Sequence, residues 1–230
     1  MSQTLAKRFY KEVAIAPQDG GFVVTLDGRV LKTPQKQSLI MGSERHASLV
    51  AAEWEAQADV INPSVMPCTR LMNVACEQTP SRREELIAET RRYAQTDLLC
   101  YRAASPSDLT ALQTQRWEPL LEWAATLGIQ LKSVTGIMAI SQDDTALDRV
   151  AATAQEFDNV GLTLLVHFVS VFGSAVLGLA VMKNHLTASQ AFDLSRLDEA
   201  YQIAQWGEDE EVAERTEYIR NETLALADLI

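Results

Sequence analysis

The chain has 230 residues and a mass of 25.4 kDa, and 47% of its residues are hydrophobic and 22% charged. This composition is ordinary for a globular protein of one or two domains and excludes disorder over the whole length. The 31 acidic residues outnumber the 20 basic ones, giving a net charge of −11 and a pI of about 4.8. Such a charge opposes general binding to nucleic acid, whose phosphates require Lys and Arg.

The acidic excess lies in the second half of the chain. Residues 1–104 contain 13 basic and 12 acidic residues, a net charge of +1, whereas residues 105–230 contain 7 and 19, a net charge of −12. This asymmetry predicts two regions with different surfaces.

The cysteines and the N-terminus indicate the cellular compartment. Cys68, Cys76 and Cys100 are odd in number and lack CxxC spacing, so we expect reduced, partly buried thiols rather than disulfides or a zinc site. Met1 to Lys11 has no apolar core of the kind that secretory signals contain, and it is too short before the first strand for a transit peptide. We therefore expect a cytosol-like location.

The first region is predicted to be an antiparallel β meander followed by helices. Asp27-Gly28 is the strongest hairpin signal, because both central residues of such a turn need a positive φ. The predicted elements are strands at 11–16, 22–26 and 29–32, a turn at 17–21, a helix capped by Ser43 to about Ala58, a short extended linker between Asn62-Pro63 and Met66-Pro67, a segment capped by Thr69 through Glu77, a helix from Thr79-Pro80 to about Ala94, and a strand candidate at 98–101 that could rejoin the meander.

The second region is predicted to be entirely helical. Ser105-Pro106-Ser107-Asp108 is a cluster of helix-breaking residues, and it places a domain boundary between an α+β domain at 1–104 and a larger helical domain at 105–230. The predicted elements are a helix at 107–127 that Pro119 should kink or split, a stop at Gly128, an ambiguous segment at 129–140, a helix starting at Asp143 or Asp144, a helix at 187–206 with a capping box, a break at Gly207, and a last helix from Asp209 toward Ile230.

An apolar stretch of 21 residues, Leu162 to Met182, contains no Asp, Glu, Lys or Arg. Its length would suffice for a membrane span. However, a stripe of small and polar residues runs along it, and no belt of Trp or Tyr flanks it. The favoured interpretation is a buried helix, or two helices broken near Gly173-Ser174, with His167 in the core. We expect no membrane insertion.

Motifs for enzyme chemistry are absent from the sequence. There is no phosphate-binding loop, dinucleotide fingerprint, nucleophile elbow or HExxH zinc helix, and we expect neither catalytic nor metal-binding residues. Cys68 could be a nucleophile beside a distant His, but a small buried thiol is the simpler interpretation. Glu208-Asp209-Glu210-Glu211 could be named a metal site, but consecutive residues point in different directions around a helix, and a helix N-terminus favours acids.

The C-terminal segment is the most unusual part of the chain. From Asp193 to Ile230 it contains 11 acidic and 3 basic residues, and Trp206-Gly207 lies within it. An exposed Trp206 beside four carboxylates would be a partner-binding surface, since Trp anchors contacts and charge steers encounter. Alternatively, Trp206 fills the corner between two helices and the acids only solvate it. Trp54 raises the same question, and its helical neighbours favour the core.

Short segments in order along nearly the whole chain resemble a known family, the assembly chaperones for the α subunit of the catalytic sector of F-type ATP synthase, found in mitochondria and α-proteobacteria. The segments are Arg8-Phe9-Tyr10-Lys11, Leu26-Asp27-Gly28-Arg29, Leu31-Lys32-Thr33-Pro34, Glu53-Trp54-Glu55, Ile61-Asn62-Pro63, Met66-Pro67 with Thr69, Thr96-Asp97, Cys100-Tyr101-Arg102, Trp117-Glu118-Pro119-Leu120, Glu199-Ala200-Tyr201-Gln202 and Trp206-Gly207.

The resemblance implies a small α+β domain followed by a larger helical domain, no enzymatic activity and no cofactor. It implies a protein that holds the unassembled α subunit and hides the surface that later meets the β subunit. It also implies an important acidic residue just after the Trp-Gly pair, best matched by Glu210 with Asp209 and Glu211 as neighbours. The expected partner-binding residues are thus Trp206, Gly207, Asp209, Glu210 and Glu211. Without the mitochondrial targeting extension, the chain resembles bacterial, cytoplasmic members, and we expect a monomer when it is free.

Three rival interpretations remain open from the sequence, and one of them, a single-span membrane protein, would partition with detergent. A general protein- or peptide-binding adaptor would bind several unfolded clients rather than one dominant partner. A small hydrolase or transferase without a recognisable motif would contain a pocket with converging polar groups and a perturbed titrating residue.

Overall fold

The computed structural model describes residues 5–230, which form two compact units. The first unit comprises the residues up to Arg82 together with Asp228–Ile230, and the second comprises Arg83–Ala227. The predicted fold class is confirmed, since a small antiparallel meander with helices precedes a helical C-terminal part. The domain boundary between residues 104 and 105 stays a prediction, and the two compact units divide earlier in the chain.

The first unit contains a three-stranded antiparallel sheet. Strands β2 (Val13–Gln18), β3 (Gly21–Leu26) and β4 (Arg29–Val30) lie in the order β2-β3-β4, and a separate pair joins β1 (Ala6–Lys7) to β5 (Val60–Ile61). The predicted hairpin turn is confirmed, because Asp27 and Gly28 have φ values of 48° and 77°. Strand β2 runs past the expected turn start, because Pro17 pairs with Phe22.

Helices α1 (Glu44–Glu55) and α2 (Pro67–Glu77) complete the first unit, together with the first residues of α3 (Thr79–Gln95). Ser43 caps α1 as predicted. The cap predicted at Thr69 is wrong, because α2 already begins at Pro67 and the Thr69 N–H donates to the Glu53 carboxylate at 2.7 Å. The linker predicted to be extended forms a 3-10 turn over Pro63–Val65 instead.

The second unit is built from the rest of α3 and from seven further helices. They are α4 (Ser107–Thr126), α5 (Asp144–Gln155), α6 (Asn159–Phe172), α7 (Ala175–Met182), α8 (Ala188–Ser195), α9 (Leu197–Trp206) and α10 (Glu210–Ala227). Helix α4 is not split by Pro119, because Trp117, Leu120 and Leu121 pack into the core around it. The helix predicted over 187–206 is two helices, which meet at Arg196.

The strand candidate at 98–101 does not rejoin the meander. Leu98–Cys100 is a 3-10 turn, and β6 (Tyr101–Arg102) pairs in parallel with β7 (Val134–Thr135) in the second unit. Asp97 holds this segment in the second unit, because its buried carboxylate accepts the N–H groups of Leu99 and Val176 at 3.1 Å each.

The apolar stretch forms two helices, as the sequence predicted, but only α7 is buried throughout; α6 is partly buried, and His167, which was expected in the core, is half-buried. Helix α6 ends at Gly173, whose φ is 64°, and Ser174 caps α7. The two helices approach closely at Gly178, where an added Cβ would lie 2.6 Å from a methyl of Val169. None of the helices within residues 5–230 combines the length and the apolar character needed to cross a bilayer.

Candidate partner-binding surface

The five residues predicted to bind a partner lie together at the corner between α9 and α10. Trp206 is the last residue of α9, and Gly207 turns the chain with φ 88° and ψ 169°. This backbone conformation is one that essentially only glycine adopts without strain. The local sequence Trp-Gly-Glu-Asp therefore ends one helix and begins the next, as predicted.

Trp206 does not fill the helix–helix corner. Its side chain is 77% exposed, and it borders a groove of about 560 Å³ that we call the α9–α10 groove. Ile203 and Val212, which are 38% and 57% exposed, also line this groove. Three exposed apolar side chains around one concave surface are typical of an interaction site. The structure therefore excludes a corner-filling Trp206, while its role in partner binding stays a prediction.

The acidic residues at the corner have different structural roles. Asp209 caps α10, since its carboxylate accepts the N–H groups of Glu211 and Val212 at 3.1 Å each. Glu210 and Glu211 lie in the exposed first turn of α10, where the helix dipole favours negative charge. Within residues 5–230, no ion pair holds either glutamate. Their charges are therefore available to a partner.

The floor of the α9–α10 groove is a cluster that sequence reasoning did not identify. The buried ring of Phe192 lies beneath the guanidinium groups of Arg196 and Arg220, at 5.6 and 5.4 Å. Arg196 pairs with Glu199 and Arg220 with Asp193, so these cations do not neutralise the acids of the α10 first turn. The Arg196–Glu199 spacing was a local signal, but nothing local pointed to Arg220 in another helix.

Helix α9 is held against α4 by two polar contacts. The Tyr201 hydroxyl donates to the Asp108 carboxylate at 2.8 Å, and the Gln113 amide donates to Asp198 at 2.6 Å. The bond from Tyr201 holds the pKa of Asp108 below its usual range. These contacts fix the direction of α9 and therefore the place where Trp206 is presented.

Cys68, the possible metal site and Trp54 were the other candidates from the sequence, and none of them has the surroundings of a reactive or metal-binding group within the described residues. Burial, reinforced by the Glu53 carboxylate, raises the pKa of Cys68 to about 12, so its thiol stays protonated at neutral pH and is a poor nucleophile. The described residues contain no group of three or more His, Cys, Asp or Glu side chains that could hold a metal ion. Trp54 is half-buried, and its ring packs against Tyr10 at 5.6 Å.

Comparisons with known proteins converge on one family. The model of the family described as "ATP12 chaperone protein" matches residues 7–125. The mitochondrial protein atp12 of Schizosaccharomyces pombe is 28% identical over 227 residues, covering 93% of this chain and 78% of that protein. The crystal structure of Atp12 from Paracoccus denitrificans is 38% identical, with a TM-score of 0.91 and 96% of each chain covered. A solved protein of Agrobacterium tumefaciens is 40% identical, with a TM-score of 0.92, covering 98% of this chain and 85% of that one.

Proposed function

Because this chain belongs to the ATP12 chaperone family, a family of ATP synthase assembly chaperones, we propose that it binds the unassembled α subunit of the catalytic sector. Binding prevents aggregation of the α subunit until it pairs with the β subunit. The proposed activity is non-enzymatic and uses no cofactor.

The observation that carries this proposal is the exposed Trp206 beside the α9–α10 groove. A subunit without its partner exposes an apolar interface that would otherwise aggregate. A chaperone must cover such a surface reversibly, with a small apolar area and steering charges rather than extensive tight packing. Ile203, Trp206 and Val212 supply an apolar area of this kind.

The acidic surroundings of the groove favour a client segment with Lys or Arg beside an apolar anchor. Glu210 and Glu211 are exposed, and Glu208 and Asp209 line the groove itself. Opposite charges at the rim of an interface accelerate encounter and select the partner, while the buried aromatic anchor contributes most of the affinity. Within this site, Gly207 sets the corner geometry and Asp209 caps α10, so Glu210 and Glu211 are the acids that we propose contact the client.

We also propose that the protein acts in the bacterial cytoplasm and is a monomer when free. The three cysteines are free thiols, two of them buried, which suits a reducing compartment. The relative from Schizosaccharomyces pombe is described as mitochondrial, a compartment that this proposal does not assign to the present chain.

The second candidate function is a general adaptor for unfolded proteins, which an exposed aromatic groove also suits. A binding experiment separates the two. The purified chain is immobilised and presented with the isolated α subunit, the isolated β subunit and several unrelated reduced, unfolded proteins. We expect retention of the α subunit alone. Equal retention of all clients would establish the adaptor and contradict the proposed function.

A further inference from the structure

A second exposed aromatic residue, Phe9, lies in the first unit and has no part in the site described above. The residues on either side of it are tightly held. Arg8 donates to the carbonyl oxygens of Tyr10, Glu55 and Gln57, and the Tyr10 hydroxyl donates to the Trp54 carbonyl at 2.7 Å. The backbone at Phe9 is therefore fixed from both sides.

The fixed backbone presents the Phe9 ring to solvent. Tyr10 is 4% exposed, whereas Phe9 is 72% exposed and touches the Tyr10 ring only edge-on, with ring centroids 5.3 Å apart. Full burial of a Phe side chain would stabilise the fold, and this arrangement forgoes that contribution. An aromatic residue that is both exposed and rigidly placed loses little entropy when a partner covers it, and it has the character of an interface anchor.

Phe9 borders a groove of about 500 Å³, which we call the Phe9 groove. Its apolar wall is formed by Leu26, Val30, Leu31 and Trp54. This wall and the Phe9 ring together form a concave apolar surface within the first unit.

The charges around the Phe9 groove are opposite to those around the α9–α10 groove. Arg29 and Lys32 line it and are exposed, and within residues 5–230 no ion pair holds either cation. The one acid that lines it, Asp27, accepts the backbone N–H groups of Lys11 and Glu12 at 3.0 and 2.9 Å. The groove therefore combines an apolar wall with two exposed cations and one acid, which is bound to the backbone and attracted by Arg29.

We propose that the Phe9 groove is a second contact surface for the client polypeptide and binds a segment that carries Asp or Glu beside an apolar side chain. The apolar side chain packs between Phe9 and Trp54, and the carboxylates face Arg29 and Lys32. This inference rests on the proposed function, since it names the same α subunit as the client. Nucleic acid also carries anions, but two exposed cations are fewer than the clustered Lys and Arg of a nucleic-acid site.

A site-specific photo-cross-link tests the proposal. The photoreactive residue p-benzoylphenylalanine replaces Phe9 in one preparation, Trp206 in a second and Ile40 in a third, where Ile40 is a 41% exposed residue that does not line the Phe9 groove. Each preparation is irradiated with the purified α subunit, and the cross-linked peptide is identified by mass spectrometry. We expect cross-links from positions 9 and 206 and none from position 40, with an acidic client segment captured at position 9.

The outcomes distinguish this inference from the proposed function. Cross-linking at position 206 alone would overturn the Phe9 contact and leave the proposed function intact. The absence of any cross-link to the α subunit would contradict both. A cross-link from position 9 to the chaperone's own chain, or to a basic client segment, would also overturn the inference.

A matched pair of charge reversals adds a quantitative test. Lys32→Glu and Lys36→Glu change the net charge equally, but only Lys32 lines the Phe9 groove, and both lysines are exposed. We expect Lys32→Glu to weaken binding of the α subunit roughly threefold to tenfold at low salt, and less at high salt because exposed charges are then screened. Phe9→Ala should weaken it about tenfold at either salt concentration. Equal effects of the two lysine variants would contradict the assigned charge contact.

Discussion

The Asp209 carboxylate accepts a hydrogen bond from the backbone N–H of Val212 at 3.1 Å, so an acid predicted to bind a partner also holds the first turn of α10. Val212 is in turn one of the exposed apolar residues of the α9–α10 groove. The cap and the groove are therefore coupled, and substitutions at the corner must be chosen to separate charge from structure.

Two substitutions of Asp209 separate the effect of its charge from the effect of its helix cap. Asp209→Ala removes the cap and should lower the free energy of unfolding by about 1 kcal/mol, whereas Asp209→Asn keeps a capping oxygen and should cost only a few tenths. Urea unfolding of both variants measures the difference. Because Asp209 caps α10 and we propose that its neighbours contact the client, we expect Asp209→Asn to bind the α subunit as the unmodified chain does and Asp209→Ala to bind it less well. Equal loss of binding in both variants would contradict this role.

Glu210 tests the charge itself. Glu210→Lys should abolish most of the suppression of α-subunit aggregation, because it places a cation where we propose that client cations bind. A Lys in the first turn of a helix should cost about 1 kcal/mol of stability or less. Glu122→Lys, at an exposed position of α4, is the matched control and should leave suppression unchanged. Unchanged suppression with a folded Glu210→Lys protein would show that the proposed charge contact does not exist.

Gly207 tests the geometry of the corner. No atom lies within 4 Å of the position that a Cβ on Gly207 would occupy, so Gly207→Ala creates no collision. It does force alanine to a φ of 88° and a ψ of 169°, which should cost about 1–3 kcal/mol or shift the start of α10. We expect a lower unfolding temperature and weaker client binding. A variant with unaltered stability and binding would mean that the corner does not need this backbone conformation.

Asp97 gives a pH-dependent prediction for the second unit. Burial raises the pKa of its carboxyl from 3.8 to about 6, although hydrogen bonds from Ser174, Val176 and Leu99 favour the charged form. Between these two values the folded chain holds a proton that the unfolded chain has lost. The contribution of Asp97 to stability therefore decreases as the pH rises through this window.

The variant Asp97→Asn removes this titration. The difference in unfolding free energy between the unmodified chain and Asp97→Asn should shrink as the pH rises from about 4 to about 7, by at most about 3 kcal/mol. Urea unfolding of both proteins across this range measures it. A difference that stays constant or grows with pH would place the folded-state pKa at or below the ordinary value.

Elements with a local chemical signal could be predicted from the sequence. Asp27-Gly28 marks a hairpin because the turn demands positive φ, and Gly173-Ser174 marks a helix end followed by a cap. Trp206-Gly207 likewise marked the end of α9. In each case two or three neighbouring residues determine the conformation, so no knowledge of distant contacts was needed.

Features that depend on distant residues could not be predicted in this way. Strand β6 pairs with β7 through Tyr101 and Val134, and the spacing of hydrophobic residues within either segment does not predict which strand it pairs with. Pro119 remains inside α4 because core packing of Trp117 and its neighbours outweighs the local cost of proline. At the candidate site, the exposure of Trp206 depends on where α10 packs, so the sequence could name the residue but not decide its role.

We propose that the α9–α10 groove, anchored by Trp206, binds the α subunit. The most direct measurement is light scattering of the purified α subunit as it aggregates, with the unmodified chain, Trp206→Ala or Ile137→Ala added in equal amounts. Both substituted side chains are exposed, by 77% and 99%, so both variants should keep their stability within about 0.5 kcal/mol. We expect suppression of scattering by the unmodified chain and by Ile137→Ala, and its loss with Trp206→Ala. Full suppression by a folded Trp206→Ala protein would contradict the claim.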